Sequence, residues 1–185
     1  MILSLFKRND EDIRARELYS ALIDISRQPY FFEKLKAPDT VEGRFEILSI
    51  HVYLTLRRLK GAGKNADSFA QAVFDTFFKN MDDALRELGV GDMSIGRKIR
   101  GLAEAFYGRI GAYEKALDEG DRNQLSGAIS RNVYERESHP MAPAIADYMV
   151  ASIAALDAQT VDTILAATIE FPDVEALHTP EGASE

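Results

Sequence analysis

Large apolar side chains recur at helical spacing in the segment 65–88, and this pattern constrains the fold more than any other feature of the sequence. At 3.6 residues per turn they cover about half of the helix circumference. These side chains are Phe69, Val73, Phe74, Phe77, Phe78, Met81, Leu85 and Leu88. No segment shows the alternation of apolar and polar residues, bounded by turn signals, that is typical of strands. The sequence therefore predicts an all-α, single-domain helical bundle of about seven or eight helices, with no sheet.

Capping residues, glycines and prolines set the boundaries of the predicted helices. Asn9 and Asp10 predict the start of the first helix, and Pro29 opens the second. Asp39 and Thr40 cap a third helix, whose apolar residues lie on all sides and predict a buried position. The predicted helices span 9–27, 30–35, 41–59, 65–88, 93–118, 121–134, 143–156 and 159–167. The chain thus divides into a short apolar N-terminal segment (1–8), a helical domain (9–170) and a frayed C-terminal tail (171–185).

Composition and charge exclude several classes of function. The chain has 30 acidic and 22 basic residues, and its net charge of −8 argues against direct binding of nucleic acid. It has no cysteine, which excludes disulfides and thiolate metal sites and fits a reducing compartment, so we expect a cytoplasmic protein.

No segment is long and apolar enough to span a membrane. The longest apolar stretches, 47–56 and 142–156, contain His51 and Asp147 and are shorter than the ~20 residues a spanning helix needs. The opening MILSLF is too short for an export signal, and its basic residues follow the apolar ones. Two alternatives stay open for this segment: contact with an anionic membrane surface, or packing against the helical bundle.

No motif in the sequence supports an enzyme, a cofactor site or a metal site. The GAGK tetrapeptide at 61–64 lacks the upstream glycine, the following Ser or Thr and the preceding strand of a phosphate-binding loop. The three histidines, His51, His139 and His178, are isolated from one another in the sequence, which argues against a metal site. Glu46 and His51 lie about 140° apart on a helix and cannot share a ligand. We therefore expect His51 to be a hydrogen-bonded core or rim residue, and the protein to be a non-enzyme without a cofactor.

The predicted helix 93–118 has two different faces. Its apolar side chains lie within about 80° of one another and are enough to anchor the helix. They are Ile99, Leu102, Phe106, Ile110, Tyr113 and Leu117. The opposite face carries four glycines among polar and aromatic residues. Its members are Gly96, Arg97, Arg100, Gly101, Glu104, Tyr107, Gly108 and Gly111.

The glycines on this face require an explanation, because each costs about 0.5–1 kcal/mol relative to alanine inside a helix. A glycine-bearing face lets another polypeptide approach the backbone closely, and the arginines and Tyr107 supply directional contacts at its edges. We hypothesise that the eight residues form a docking surface for a protein partner. The sequence leaves one alternative open, in which a second helix of the same bundle covers this face.

Two long segments resemble the ubiquinol-cytochrome c chaperone family. The first is FAQAVFDTFFKNMDDALRELGVGDMSIGRKIRGLAEAFYGRIGAYEKAL at 69–117, and the second is RFEILSIHVYLTLRRLK at 44–60. The distinctive parts are the Phe-rich helix, the GVGDMSIG turn and the AEAFYGRIGAYEKAL helix. The two segments cover a little over a third of the chain, and the resemblance supplies no residue with an assigned role.

The resemblance implies an all-α assembly chaperone of the cytochrome bc1 complex that binds newly made cytochrome b and has no cofactor of its own. In mitochondria such proteins work with a small co-chaperone and near the ribosome exit. This chain has no Arg-rich, acid-poor transit peptide, so we expect a bacterial-type member at the inner face of the inner membrane, with a respiratory-chain subunit as client. The alternatives are a helical adaptor or regulator with another protein client, and an enzyme acting on a lipid-like molecule in an apolar pocket.

Overall fold

A computed structural model describes residues 2–87 and 89–178; Met1, Leu88 and 179–185 lie outside it. The described residues form eight helices and no strand, which confirms the predicted all-α fold. The helices are α1 (Ile2–Ser26), α2 (Pro29–Glu33), α3 (Val41–Leu59), α4 (Lys64–Glu87), α5 (Asp92–Asp118), α6 (Arg122–Val133), α7 (Ala142–Ala158) and α8 (Val161–Leu165).

Helix α3 lies at the centre of the bundle. Ile47, Ile50, Val52 and Leu54 point to different sides of this helix and are all nearly inaccessible to solvent. The hydroxyl of Thr40 accepts a hydrogen bond from the backbone N–H of Gly43 at 3.1 Å, which confirms the predicted cap. The helix is therefore enclosed by its neighbours, as its all-round apolar pattern predicts.

Helices α1 and α4 lie side by side on one flank of α3 and run in the same direction. Near their beginnings, the hydroxyl of Ser68 donates to a carboxylate oxygen of Glu11 at 2.6 Å. Further along, the rings of Tyr19 and Phe77 approach with centroids 6.2 Å apart. Helix α5 then returns along α4, and this arrangement fixes which face of α5 points inward.

Helices α6 and α7 pack on the other flank of α3, and the half-buried cation of Arg58 joins α7 to α3. The guanidinium of Arg58 donates to the carbonyl oxygens of Leu156 at 2.8 Å and Gln159 at 2.7 Å. These carbonyls lie at the end of α7, where the regular hydrogen bonds of the helix stop, and that of Leu156 also accepts from the backbone N–H of Gln159 at 3.2 Å. Arg58 therefore both closes α7 and holds it against α3.

Two predicted boundaries differ from the structure. The backbone is helical from Ile2, so the predicted helix start at Asn9 and Asp10 is wrong. Residues 2–8 contain no glycine or proline, and neither Asn nor Asp obliges a helix to begin where it stands. The side chains of 2–9 lie outside the described part, and both alternatives for the N-terminal segment stay predictions.

Residues 171–178, which the sequence predicts to be part of a frayed tail, are packed on the helices instead. Val174 is fully buried, and the ring of Phe171 lies 4.9 Å from the imidazole of His51. Nε2 of His178 lies 3.1 Å from the carbonyl oxygen of Ala144. These contacts join residues far apart in sequence, which local composition does not reveal.

Within residues 2–87 and 89–178, no helix combines the length and the hydropathy that a bilayer crossing needs.

Candidate partner-binding surface

The inward face of α5 anchors the helix through aromatic packing. Phe106 is almost fully buried, and its ring contacts those of Phe74, Phe77 and Phe78 with centroids 5.2–6.1 Å apart. Tyr113, two turns further on, is also buried and accepts a hydrogen bond at its hydroxyl from the side-chain amide of Asn132 at 3.1 Å. The remaining members of the apolar stripe are half-buried. The predicted orientation of α5 is therefore confirmed.

The outward face of α5 is open to solvent. All eight residues of the predicted docking surface are exposed: Gly96, Arg97, Arg100, Gly101, Glu104, Tyr107, Gly108 and Gly111. A methyl group placed on any of these four glycines would meet no described atom within 4 Å apart from the adjoining backbone of α5 itself. The described helices of this chain do not cover the face, so the alternative of internal packing does not hold for this part of the protein. We refer to these eight residues as the glycine face.

Tyr107 is the large aromatic residue at the edge of the glycine face. It is 59% exposed, and its ring lies 5.8 Å from that of Phe74 and 6.2 Å from that of Phe106. One side of the ring is thus held by the aromatic core, while the other is free to contact a partner. Rigid, half-held aromatic residues of this kind are typical of binding hot spots.

The charges on the glycine face are uncommitted. Within the described residues, the side chains of Arg97, Arg100 and Glu104 form no ion pair and no hydrogen bond. An exposed charge without a partner is free to pair with a group brought in by another molecule. The two arginines lie towards the beginning of α5 and Glu104 lies at its middle.

A cleft of about 280 Å³ adjoins the glycine face at Tyr107, between α3, α4 and α5. Its lining is mostly apolar and includes Leu56, Phe74, Phe106 and Ile110. Sequence pattern alone does not reveal this cleft, because three helices contribute to it and none of them carries a motif.

A buried ion pair lies behind α5 and was also not predicted. The guanidinium of Arg109 lies 2.5 Å from a carboxylate oxygen of Glu46 on α3, and the two side chains are 22% and 8% exposed. Burial raises the pKa of Glu46 to about 7, and the nearby charge of Arg109 opposes that rise. The pair fixes the rotation of α5 about its own axis relative to α3, so it supports the outward orientation of the glycine face.

The described residues contain no group of three or more His, Asp or Glu side chains placed to hold a metal ion.

Comparison with known proteins identifies the family of this chain. The profile of the ubiquinol-cytochrome C chaperone family matches residues 33–171, about three quarters of the sequence. The chain belongs to the ubiquinol-cytochrome C chaperone family. The match includes the whole of α5, so every residue of the glycine face lies within the part that defines the family.

A solved structure and two vertebrate proteins are similar to this family member. The crystal structure of the Cbp3 homolog from Brucella abortus has a TM-score of 0.83 and 36% identity, covering 95% of this chain and 98% of that one. Ubiquinol-cytochrome-c reductase complex assembly factor 1 of Xenopus laevis is 24% identical over 125 residues, which are 68% of this chain and 62% of the frog protein. The human protein of the same name is 22% identical over 125 residues and is covered for 42% of its length. The chain therefore spans about half of the length of these vertebrate relatives, whereas it matches the bacterial structure almost throughout.

Proposed function

We propose that this chain is a non-catalytic assembly chaperone that binds newly made cytochrome b during biogenesis of the cytochrome bc1 complex. The family is one of ubiquinol-cytochrome c reductase chaperones, and the vertebrate relatives are named as assembly factors of that complex. The observation that carries the proposal is the glycine face, which is open to solvent beside Tyr107.

The chemistry of the glycine face suits an apolar helix of a subunit that is not yet assembled into its complex. Glycines let a second backbone approach closely, and the dispersion attraction along a smooth surface accumulates over many atoms without requiring a particular sequence. Tyr107 adds a large area of apolar surface, while Arg97 and Arg100 can pair with acidic or carbonyl groups at the edge of the client. A segment of a membrane protein before its assembly has this mixture of apolar body and polar ends.

The proposal places the protein in the cytoplasm, peripheral at the inner face of the inner membrane, where a nascent membrane protein first becomes accessible. A small co-chaperone and the ribosome are the further partners that we expect from the family resemblance. A helical adaptor for a different protein client is the competing function, and the client itself distinguishes the two.

Site-specific photocrosslinking in living cells tests the proposal. p-Benzoylphenylalanine replaces Tyr107 in one strain and Val41 in another, because Val41 is 68% exposed and lies on a different helix. We expect Tyr107 to capture cytochrome b and Val41 not to capture it. Capture of an unrelated protein from Tyr107 favours the adaptor, and equal capture of cytochrome b from both positions contradicts the assignment of the glycine face.

A further inference from the structure

The cleft beside Tyr107 is neutral although it contains four charged side chains. The ammonium of Lys60 lies 3.0 Å from a carboxylate oxygen of Glu114, and the guanidinium of Arg57 lies 2.9 Å from one of Asp118. The carboxylate of Asp67 accepts a hydrogen bond from the backbone N–H of Gly61. The lining thus holds two cations, Arg57 and Lys60, and two carboxylates, Asp67 and Glu114, so an ionic ligand would find no net charge to attract it.

The hydroxyl of Tyr53 is buried in the lining of the cleft, and its hydrogen has no acceptor among the residues that the structure describes. Tyr53 is 3% exposed, and the neighbour within reach of its hydroxyl is the guanidinium of Arg57. A guanidinium can only donate, so the hydroxyl hydrogen has no acceptor there. Burial raises the pKa of Tyr53 to about 12, which keeps that hydrogen in place at neutral pH.

A buried hydroxyl whose hydrogen lacks an acceptor lowers stability, and a ligand that supplies the missing acceptor would remove this cost. The apolar lining selects the body of that ligand, and the balanced charges of the cleft give an ion no net attraction. The cleft volume of about 280 Å³ is just below the range of sites for drug-sized molecules and suits a single large side chain.

We propose that this cleft is the anchor pocket for one large, uncharged side chain of the client polypeptide, with a carbonyl oxygen of the client accepting a hydrogen bond from Tyr53. The inference rests on the proposed function, because the cleft is continuous with the glycine face through Tyr107. A client helix on the glycine face thereby inserts an apolar side chain between α3, α4 and α5.

Arg57 controls access to the hydroxyl. The oxygen of Tyr53 is covered, and Arg57 both lines the cleft and lies beside that oxygen. The ion pair with Asp118 holds the Arg57 side chain over the Tyr53 hydroxyl. The two paired side chains are 28% and 59% exposed. Exposed ion pairs are weak, so the arriving ligand displaces Arg57 at little cost.

Fragment binding to the isolated full chain tests the pocket. The probes are N-acetyl amino-acid amides, which carry a side chain and two amide carbonyls, and binding is followed by NMR of the aromatic rings. We expect the phenylalanine and leucine amides to shift the signals of Phe74 and Phe106. The glycine, glutamate and lysine amides should bind at least about tenfold more weakly, because the first lacks the apolar body and the others carry a charge.

Two cleft variants and one control make the test specific. Tyr53→Phe removes only the hydroxyl and should weaken the phenylalanine amide about 2- to 10-fold, the effect of one hydrogen bond. Tyr30→Phe, at a tyrosine outside the lining of the cleft, should leave binding unchanged. Ala70→Leu fills the cleft from α4, where a leucine suits the helix, and should abolish the shifts. Loss of the shifts in Ala70→Leu supports the pocket independently of the result for Tyr53→Phe.

Three results would overturn the pocket. They are the absence of ring shifts with every amide, unchanged affinity in both cleft variants, and tighter binding of decanoate than of the phenylalanine amide. The last result would assign the cleft to anionic amphiphiles. These measurements do not involve cytochrome b. A negative fragment result therefore leaves the crosslinking result valid, and a negative crosslinking result leaves the fragment result valid.

Discussion

The hydroxyl of Tyr148 lies 2.8 Å from Nε2 of His51 at the centre of the protein. Nδ1 of the same imidazole lies 2.8 Å from the carbonyl oxygen of Ile47, which can only accept a hydrogen bond. Nδ1 therefore carries the proton, and Nε2 accepts from Tyr148. Burial lowers the pKa of His51 to about 4, so the ring is neutral at pH 7. The predicted core histidine is confirmed, and it joins α3 to α7.

Tyr148→Phe should lower the free energy of unfolding by about 1–3 kcal/mol, because it leaves Nε2 of His51 buried without a donor. Tyr107→Phe is the matched control, since the Tyr107 hydroxyl is on an exposed side chain and its loss should cost almost nothing. Urea denaturation of the two variants and the wild type measures both effects. Equal stability of Tyr148→Phe and the wild type would contradict the assigned hydrogen bond.

Glu46 makes stability depend on pH in a direction that follows from its raised pKa. The pKa rises from its ordinary value of 4.5 to about 7 in the folded protein, mainly through burial. Between these values the folded state binds more protons than the unfolded state, so this group's contribution to stability falls as pH rises. His51 has the opposite sign: its pKa is lowered, and its contribution is lost as pH falls from 6.5 towards 4. The two slopes partly cancel in the wild type.

Glu46→Gln isolates the contribution of Glu46, because the amide does not titrate and His51 is present in both proteins. The stability of Glu46→Gln minus that of the wild type should rise between pH 4.5 and pH 7, by up to about 3 kcal/mol, and level off above. Chemical denaturation at pH 4.5, 5.5, 6.5 and 7.5 gives this difference. A stability difference that stays constant or falls across this pH range would show that burial does not raise the pKa of Glu46.

Much of the fold follows from local pattern in the sequence. Helical spacing of apolar residues predicts the helices, and the two faces of 93–118 predict which side of α5 points inward. The exposure of Gly101 and Gly108 could not be decided in this way, since a neighbouring helix of the same chain would satisfy the same pattern.

Contacts between distant residues are beyond the reach of that reasoning. Glu46 and Arg109 are on different helices, and neither residue stands out in its own helix as a partner for the other. The cleft at Tyr53 likewise exists only after three helices pack together. Phe171 reaches His51 from beyond the last helix, so a boundary taken from local pattern ends the domain too early. Periodicity indicates which face is buried and does not indicate what covers it.

Gly43→Ala should destabilise the protein strongly, because the added methyl group would collide with the backbone carbonyl of Pro38. The chain passes this close because Thr40 caps the first turn of α3. Backbone cannot move aside as a flexible side chain can, so we expect a loss of about 1–3 kcal/mol or more. Thermal melting compares this variant with Gly127→Ala in α6, where the added methyl meets only the end of Arg131 at 3.5 Å. Similar melting temperatures for the two would refute the close approach at Pro38.

Replacing Gly101 and Gly108 by alanine should raise stability and weaken client binding in the same protein. Both positions are helical, exposed and free of neighbours, so each alanine should add about 0.5–1 kcal/mol to the free energy of unfolding. The added methyl groups nevertheless hold an incoming backbone away from α5, which should reduce the amount of cytochrome b that co-purifies with the tagged chain. Gly127→Ala again serves as the control, because it removes a helical glycine outside the glycine face and should leave co-purification unchanged. A stabilised double variant that still captures cytochrome b at the wild-type level would show that the client binds elsewhere, because the added methyl groups would then not have blocked its approach to α5.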